Sequence, residues 1–592
     1  MEVLYMKKKM GPVIAGLFLI IVIILILVIS KKIEKYIPSE EMADLGEYYG
    51  VTSDEDVAVV WNQELSDIIV KKFDGQIYLT LDQLKDRLND RFYYDRNEQI
   101  LIYTTAETNI KAYAGKSEYY IGNEATAVPY EIVKTVDGEI YVALDYIQKY
   151  TDLAYELVEK PNRMILWTDF DTGEPVSIKK ETQLRVKGGI KSPILKELAK
   201  DEELILLEQM DDWSRLMTMD GIIGYAKNKH ITFDDASLVP KEETLTHSYE
   251  GETFTHNLMD EPVNLLWHQV VYQEANSRIA SVLASSKGVN VVAPTWFYLN
   301  DNEGNIADKA SSNYVSICHE QGVKVWGLVS NLENKEADTS YVLSHTTTRE
   351  NLVHQILTKA LQYNLDGVNL DFESIDSAVG DDYIQFVREL SLKCRANNLI
   401  LSVDNYVPTE YTAFYDRTEQ ANYADYIVIM AYDEHYSGSG EGSVASIDYV
   451  KNGVKNTIAQ SVPAEQIILG VPFYTRLWKE VPKEDESDTV ESASADYVGY
   501  ELSSEALGMA ETRRRVEANG ATMNWLDDMC QYYAQYEHDG ATYKVWMEDA
   551  KSIEKKLEVM TDNKLAGAAF WKAGLETADV WDVIVAAMQK LQ

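Results

Sequence analysis

Cysteine is nearly missing from this chain. Its 592 residues hold three, Cys318, Cys394 and Cys530, too widely spaced for a disulfide framework or a Cys-x-x-Cys zinc site. Histidine is scarce as well: there are nine, and none precedes His230. Positive charge is in short supply, because 55 Lys and Arg face 96 Asp and Glu and leave −41 at pH 7, a balance that repels phosphate backbones over most of the surface; with no basic groove in view, no nucleic-acid partner is expected. HExxH, GxSxG and phosphate-binding glycine-loop motifs are also absent. What is plentiful is apolar material, 46% of residues with 10% aromatic, which rules out wholesale disorder; the length has room for roughly four units of about 150 residues.

One apolar run stands out. Gly11 to Ser30 reads GPVIAGLFLIIVIILILVIS, twenty residues without a charge, which as a helix reach about 30 Å, the thickness of a bilayer's hydrocarbon core. Lysines flank both ends (Lys7, Lys8, Lys9; Lys31, Lys32, Lys35), so their asymmetry does not orient the helix. The ten-residue head and the lack of an A-x-A-like cleavage site favour an uncleaved signal anchor. The expectation is a single-pass cell-membrane protein, residues 1–36 forming a cytoplasmic head and anchor and the C-terminal domains lying outside the cell.

Two segments 63 residues apart are alike: DGQIYLTLDQLKDRL from Asp74, ending in ILIYTT, and DGEIYVALDYIQKYT from Asp137, ending in MILWTD. Each has an Asp-Gly turn, an alternating strand, a short helix and a second strand. This small α+β repeat, residues 50–170, resembles the N-terminal domain of copper amine oxidases and reads as a spacer. The imidazoles that copper favours are missing from it. Residues 175–235 read as short strands separated by turns. Leu184, Arg185, the Ser192-Pro193 turn, Trp213, Asp220-Gly221 and Gly224-Tyr225 give this stretch a resemblance to bacterial SH3 domains, whose groove sometimes binds cell-wall peptides; Trp213 and Tyr225 fit the core of a small barrel equally well. A polar stretch, 236–262, reads as a linker.

From residue 262 onward eight short apolar runs alternate with helical stretches: 263–270, 289–298, 324–331, 367–373, 399–406, 426–433, 467–474 and 566–571. The pattern predicts an α/β fold, a (β/α)8 TIM barrel over 262–592 with an insertion, 476–564, between strands 7 and 8 that opens on the acidic loop KEVPKEDESDT. Chemistry in such barrels sits at the C-terminal strand ends. On the fourth run Asn369, Asp371 and Glu373 alternate with Val368, Leu370 and Phe372, so the polar set points into the barrel. Two carboxylates that are partly removed from water and about 6–7 Å apart along a strand disfavour joint ionisation, and one keeps its proton as a general acid must. An EF-hand starting at Asn369 fails, since its sixth and twelfth positions are Ser374 and Gly380.

At these residues the chain resembles family 18 glycoside hydrolases, the chitinase-like group that cleaves β-1,4 bonds beside N-acetylglucosamine. The family's DxxDxDxE stands here as Asp366 to Glu373 with Asn369 in place of the middle aspartate, its MxYD as Met430 to Asp433, its closing tryptophan as Trp571, and its seventh strand as GVPFY ending at Tyr474. Asn369, DEHYSGSG and PFYTRLW resemble the branch holding spore-cortex N-acetylglucosaminidases, which act on peptidoglycan. The resemblance implies Glu373 as acid, Asp371 orienting the 2-acetamido group, and Tyr432 bonding its carbonyl. It places Asn369, Met430, Asp433, Tyr474 and Trp571 around the same sugar. No metal or cofactor is implied. A chitinase, and a glycan-binding wall scaffold without activity, are the alternatives.

Overall fold

The structure, a computed structural model, describes residues 2–233, 237–247, 249–483 and 500–591. Residues 234–236 and 248, at the end of the expected SH3-like segment and in the linker, lie outside the described residues, as does the latter part of the acidic loop from residue 484. A helix, Glu2–Glu34, carries the apolar run, and its part Ile14–Glu34 is long and apolar enough to cross a membrane, with none of it buried. Contacts divide the chain into two compact units. One holds Met1–Asp90, Ala114–Glu118 and Ala127–Gly251, and the other Arg91–Tyr113, Tyr119–Thr126 and Glu252–Gln592.

In the first unit the internal repeat is visible as geometry. Asp74-Gly75 and Asp137-Gly138 take φ of 51° and 85° and of 52° and 85°, the left-handed pair that a two-residue hairpin turn demands. The strands that follow, Gln76–Thr80 and Glu139–Ala143, pair antiparallel as neighbours in a seven-stranded sheet. A second seven-stranded sheet runs from Glu174 to Thr232. Ala58, Val60, Ile165 and Trp167 of the first sheet pack with Ile205, Met217 and Ile223 of the second in one apolar cluster. Trp213 and Tyr225 are half-buried and outside that cluster, Trp213 lying under Lys227 at 5.5 Å.

The units cut across the repeat. Its first copy ends in Ile100–Thr104, part of an antiparallel sheet begun by Phe92–Asp95 and grouped with the barrel; its second ends in Arg163–Trp167, within the first unit. The stretch read as a linker is also tied down at its far end, where Asn257 N–H donates to Asp425 (2.6 Å) and Met259 N–H to the Tyr426 hydroxyl (2.7 Å).

In the second unit all eight expected strands form: β1 Val263–His268, β2 Val291–Leu299, β3 Lys324–Ser330, β4 Gly367–Asp371, β5 Ile400–Tyr406, β6 Tyr426–Met430, β7 Ile467–Pro472 and β8 Gly567–Trp571. Each pairs parallel with the next, and β8 pairs with β1, so the sheet closes. Parallel strands buried on both faces read as near-continuous apolar runs; β6 and β7 do, whereas β4 and β5 carry polar residues at alternate positions. Period two then sorts the side chains: Val368, Leu370, Leu401, Val403, Ile427 and Ile429 face the helices, whereas Val263, Leu265, Trp267, Trp326, Leu328, Ile400, Tyr426 and Val428 fill the barrel. The insertion between β7 and β8 is a five-stranded antiparallel sheet, Tyr474–Pro482 to Ala541–Met547, with a helix, Met509–Ala518.

Candidate active site

The barrel's inward face changes character near the C-terminal strand ends. On β4 the inward parity continues through Asn369 and Asp371 to Glu373, while Phe372 joins the outer core. The run read as strand to residue 373 stops at Asp371 because the chain turns out, Ser374 adopting φ 54°. The same happens after β6, where Tyr432 is followed by Asp433 at φ 57°. Left-handed conformations in non-glycine residues cost about 1–3 kcal/mol, and here they release Glu373 and Tyr432 from the ladder at its mouth. Asn331, just past β3, fixes the Glu373 backbone from both sides, accepting its N–H (2.9 Å) and donating to its carbonyl (2.9 Å).

Asn369 is fully buried and its amide is used at both ends. It donates to Asp404 Oδ1 (2.8 Å) and Ser402 Oγ (3.0 Å) and accepts from Trp267 Nε1 (2.8 Å). Above it, Asp371 Oδ1 is buried with no hydrogen-bond partner. Burial pushes the Asp371 carboxyl well above the usual range, and Asp404, Glu373 and Glu333 add to the push. Glu373 is raised too, chiefly by burial; the Tyr406 hydroxyl donates to its carboxylate and works the other way, while Asp433 and Glu333 raise it further. Tyr406, at the end of β5, is in turn raised by burial and by Glu373.

The aromatic wall is continuous. Trp571, the last residue of β8, meets Trp267 edge-on at 5.8 Å; Trp267 meets Tyr432 at 6.5 Å, and Tyr432 meets Tyr474 at 6.3 Å. Tyr432 has room because β7 carries Gly470 beside it: a Cβ there would sit 2.8 Å from Ile429 O and 3.3 Å from the Tyr432 ring. Tyr474, first residue of the insertion's first strand, donates its hydroxyl to Asp433. Met430 is buried at the end of β6, in register with Tyr406 and Gly470. Thus Asn369, Asp371, Glu373, Met430, Tyr432, Asp433, Tyr474 and Trp571 come together at one end of the barrel. Among the described residues no group of His, Cys, Asp and Glu is arranged to hold a metal ion.

The pattern of the family Glycosyl hydrolases family 18 matches residues 270–576. The chain belongs to that family. It is 24% identical over 308 residues to the uncharacterized glycosylase YvbX of Bacillus subtilis, covering 50% of this chain and 84% of that one. It is also 24% identical over 268 residues to the cortical fragment-lytic enzyme of Bacillus anthracis, covering 44% of this chain and 58% of the relative. Among solved structures the Bacillus cereus spore cortex-lytic enzyme SleL is 20% identical with a TM-score of 0.48, covering 55% of this chain and 74% of that one. By membership of family 18 the protein is a glycoside hydrolase.

Reading the sequence for this site missed Asp404, Tyr406, Trp267, Asn331 and Glu333. The signal for two of them was present: in Ser402, Asp404 and Tyr406 β5 carries the same inward polar alternation as β4. Two other strand aromatics do not reach the site: Trp296 donates to Asn276 in the outer core (2.7 Å), and Trp326 stacks on Tyr426 inside the barrel.

Proposed function

We propose that the protein is a membrane-anchored, exported glycosidase that cleaves β-1,4 bonds next to N-acetylglucosamine in peptidoglycan, with retention and with the substrate's own acetamide as nucleophile. The observation that carries this reading is the pair Asp371, the last residue of β4, and Glu373, just past it on the same inward parity, both raised by burial. A raised Glu373 keeps its proton toward neutral pH and gives it to the departing glycosidic oxygen. Asp371 leaves the same strand in the same direction, so it does not reach the opposite face of the sugar. The acetamido oxygen attacks C1 instead and forms an oxazolinium ion, which water then opens. Asp371 orients the acetamide nitrogen and shares its developing charge, Tyr432 donates to the carbonyl oxygen, and Asp433 with Tyr474 holds the sugar. Trp571 lies under the ring as an apolar floor.

The peptidoglycan substrate rests on the relatives named for cortex fragments and on the apolar helix, which keeps the enzyme where wall glycan is. In this reading residues 50–170 are the spacer and the strands of 175–235 an SH3-like module that adds wall contact. The test is release of reducing ends by the chain lacking residues 1–36 from purified peptidoglycan and from chitin oligomers. Release from peptidoglycan is expected. Release from chitin alone makes the enzyme a chitinase, and binding without release from either makes it a glycan-holding scaffold.

A further inference from the structure

Asn369 occupies the middle of the motif and has no ionisable group, yet a carboxyl lies against it. Asp404 on β5 is 2% exposed and accepts from Asn369 Nδ2. The register pairs Asn369 with Ser402 and Leu370 with Val403, so the next step brings Asp371 level with Asp404, both on the inward parity. Neighbouring strands lie about 4.8 Å apart, so two carboxyls rising level from adjacent strands into one buried interior, both out of water, disfavour joint ionisation. The pair therefore holds one proton. Its hydrogen-bond partners are unequal: Asp404 Oδ1 has the Asn369 amide at 2.8 Å, whereas Asp371 Oδ1 has none. In the free enzyme the proton consequently rests on Asp371. Facing the pair are Glu373 past β4, Glu333 past β3, Tyr432 past β6, Tyr383 from helix Gly380–Ala396 and Tyr415, none of which supplies a positive charge.

We propose that Asp404 is a positioning residue for Asp371, taking its proton when the substrate's acetamide arrives and so supplying the carboxyl that Asn369 lacks. The inference rests on the glycosidase reading above. The proton leaves Asp371 and bonds to Asp404; Asp371, now ionised, accepts the acetamide N–H and faces the oxazolinium charge. Glu373's own proton goes separately to the leaving oxygen and is restored from the water that opens the oxazolinium ion. When the product departs, the proton returns to Asp371.

The test uses the full chain and a fluorogenic aryl β-glycoside of the N-acetylglucosamine disaccharide, comparing the parent with Glu373→Gln, Asp404→Asn and the exchange variant Asn369→Asp/Asp404→Asn. Asp404→Asn is expected to lower kcat at least about tenfold with KM within about threefold of the parent, and to reshape the pH profile of kcat. The exchange variant, which moves the carboxyl to the neighbouring position and keeps an amide opposite it, is expected to regain most of that loss. A structural role for Asp404 predicts no such rescue. If Asp404→Asn does not fold, the exchange variant alone decides: turnover within about tenfold of the parent supports the proposal, and its loss, or failure to fold, overturns it. Parent turnover that Glu373→Gln abolishes but Asp404→Asn leaves unchanged overturns this inference alone. An inert parent brings down the functional reading and this inference with it.

Discussion

At Glu373 two influences oppose each other, since burial holds the proton on and the Tyr406 hydroxyl draws the carboxylate form out. Removing the hydroxyl leaves burial unopposed and raises the pKa, so the acid stays protonated to higher pH. Tyr406→Phe should therefore move the alkaline limb of the kcat profile upward while changing kcat on the plateau by less than about tenfold, a factor worth roughly 1.4 kcal/mol. A limb that stays in place or moves down refutes this hydrogen bond. Asp371 gives a prediction about stability. A carboxyl raised in the folded state binds its proton more tightly folded than unfolded, so it weakens the fold as pH rises above the unfolded value near about 3.9. Asp371→Asn removes that burden, and the melting temperature should rise more at pH 8 than at pH 4 while turnover is lost. Equal shifts at the two pH values contradict the assigned burial.

β4 shows how far an element can be read from its own residues. Apolar positions facing helices and polar positions facing inward gave Asn369, Asp371 and Glu373 their direction, because period two is a property of the strand alone. Asp404 is invisible to that argument as a partner for Asp371: which residue of β5 stands beside which residue of β4 is a matter of register, set by barrel closure rather than by either strand. The repeat misleads for a similar reason. Its two copies share turns and strands, yet Ile100–Thr104 and Arg163–Trp167 pair in different sheets, since pairing depends on what each edge meets. Closure itself depends on Gly567, where a Cβ would lie 2.0 Å from Val263 O, inside the seam between β8 and β1. Backbone there has nowhere to move. Gly567→Ala should cost more than about 3 kcal/mol in chemical denaturation, whereas Gly520→Ala, at a turn with open space, should cost far less despite its φ of 63°. Equal losses would put the seam elsewhere.

On the scale of the whole molecule the barrel unit is larger than its family match. Arg349, fully buried on helix Thr346–Gln362, pairs with Glu389 (2.9 Å) and donates to the Tyr93 hydroxyl (3.1 Å), while Asp95 caps that helix through the Thr346 N–H (2.7 Å) and hydroxyl (2.6 Å). Arg91 reaches Glu419 (3.2 Å). Arg91, Tyr93 and Asp95 come from residues 91–113, about 150 positions before β1 by sequence, and a fragment starting at 262 loses all three while keeping the Arg349–Glu389 and Arg388–Glu419 pairs. Losing a helix cap costs about 0.5–2 kcal/mol and a hydrogen bond to a charged group about 1.5–3 kcal/mol, so residues 262–592 alone should melt well below the chain that begins at residue 37. Equal melting temperatures would mean that Phe92–Tyr113 adds nothing. Catalysis in this barrel turns on one proton held by Glu373, and what decides it is the rate at which the chain from residue 37 onward cleaves a β-1,4-linked N-acetylglucosamine oligomer with and without Glu373→Gln. Parent turnover, a fall of at least about a hundredfold in the variant, and undiminished oligomer binding are expected. Variant turnover within tenfold of the parent would contradict that role for Glu373.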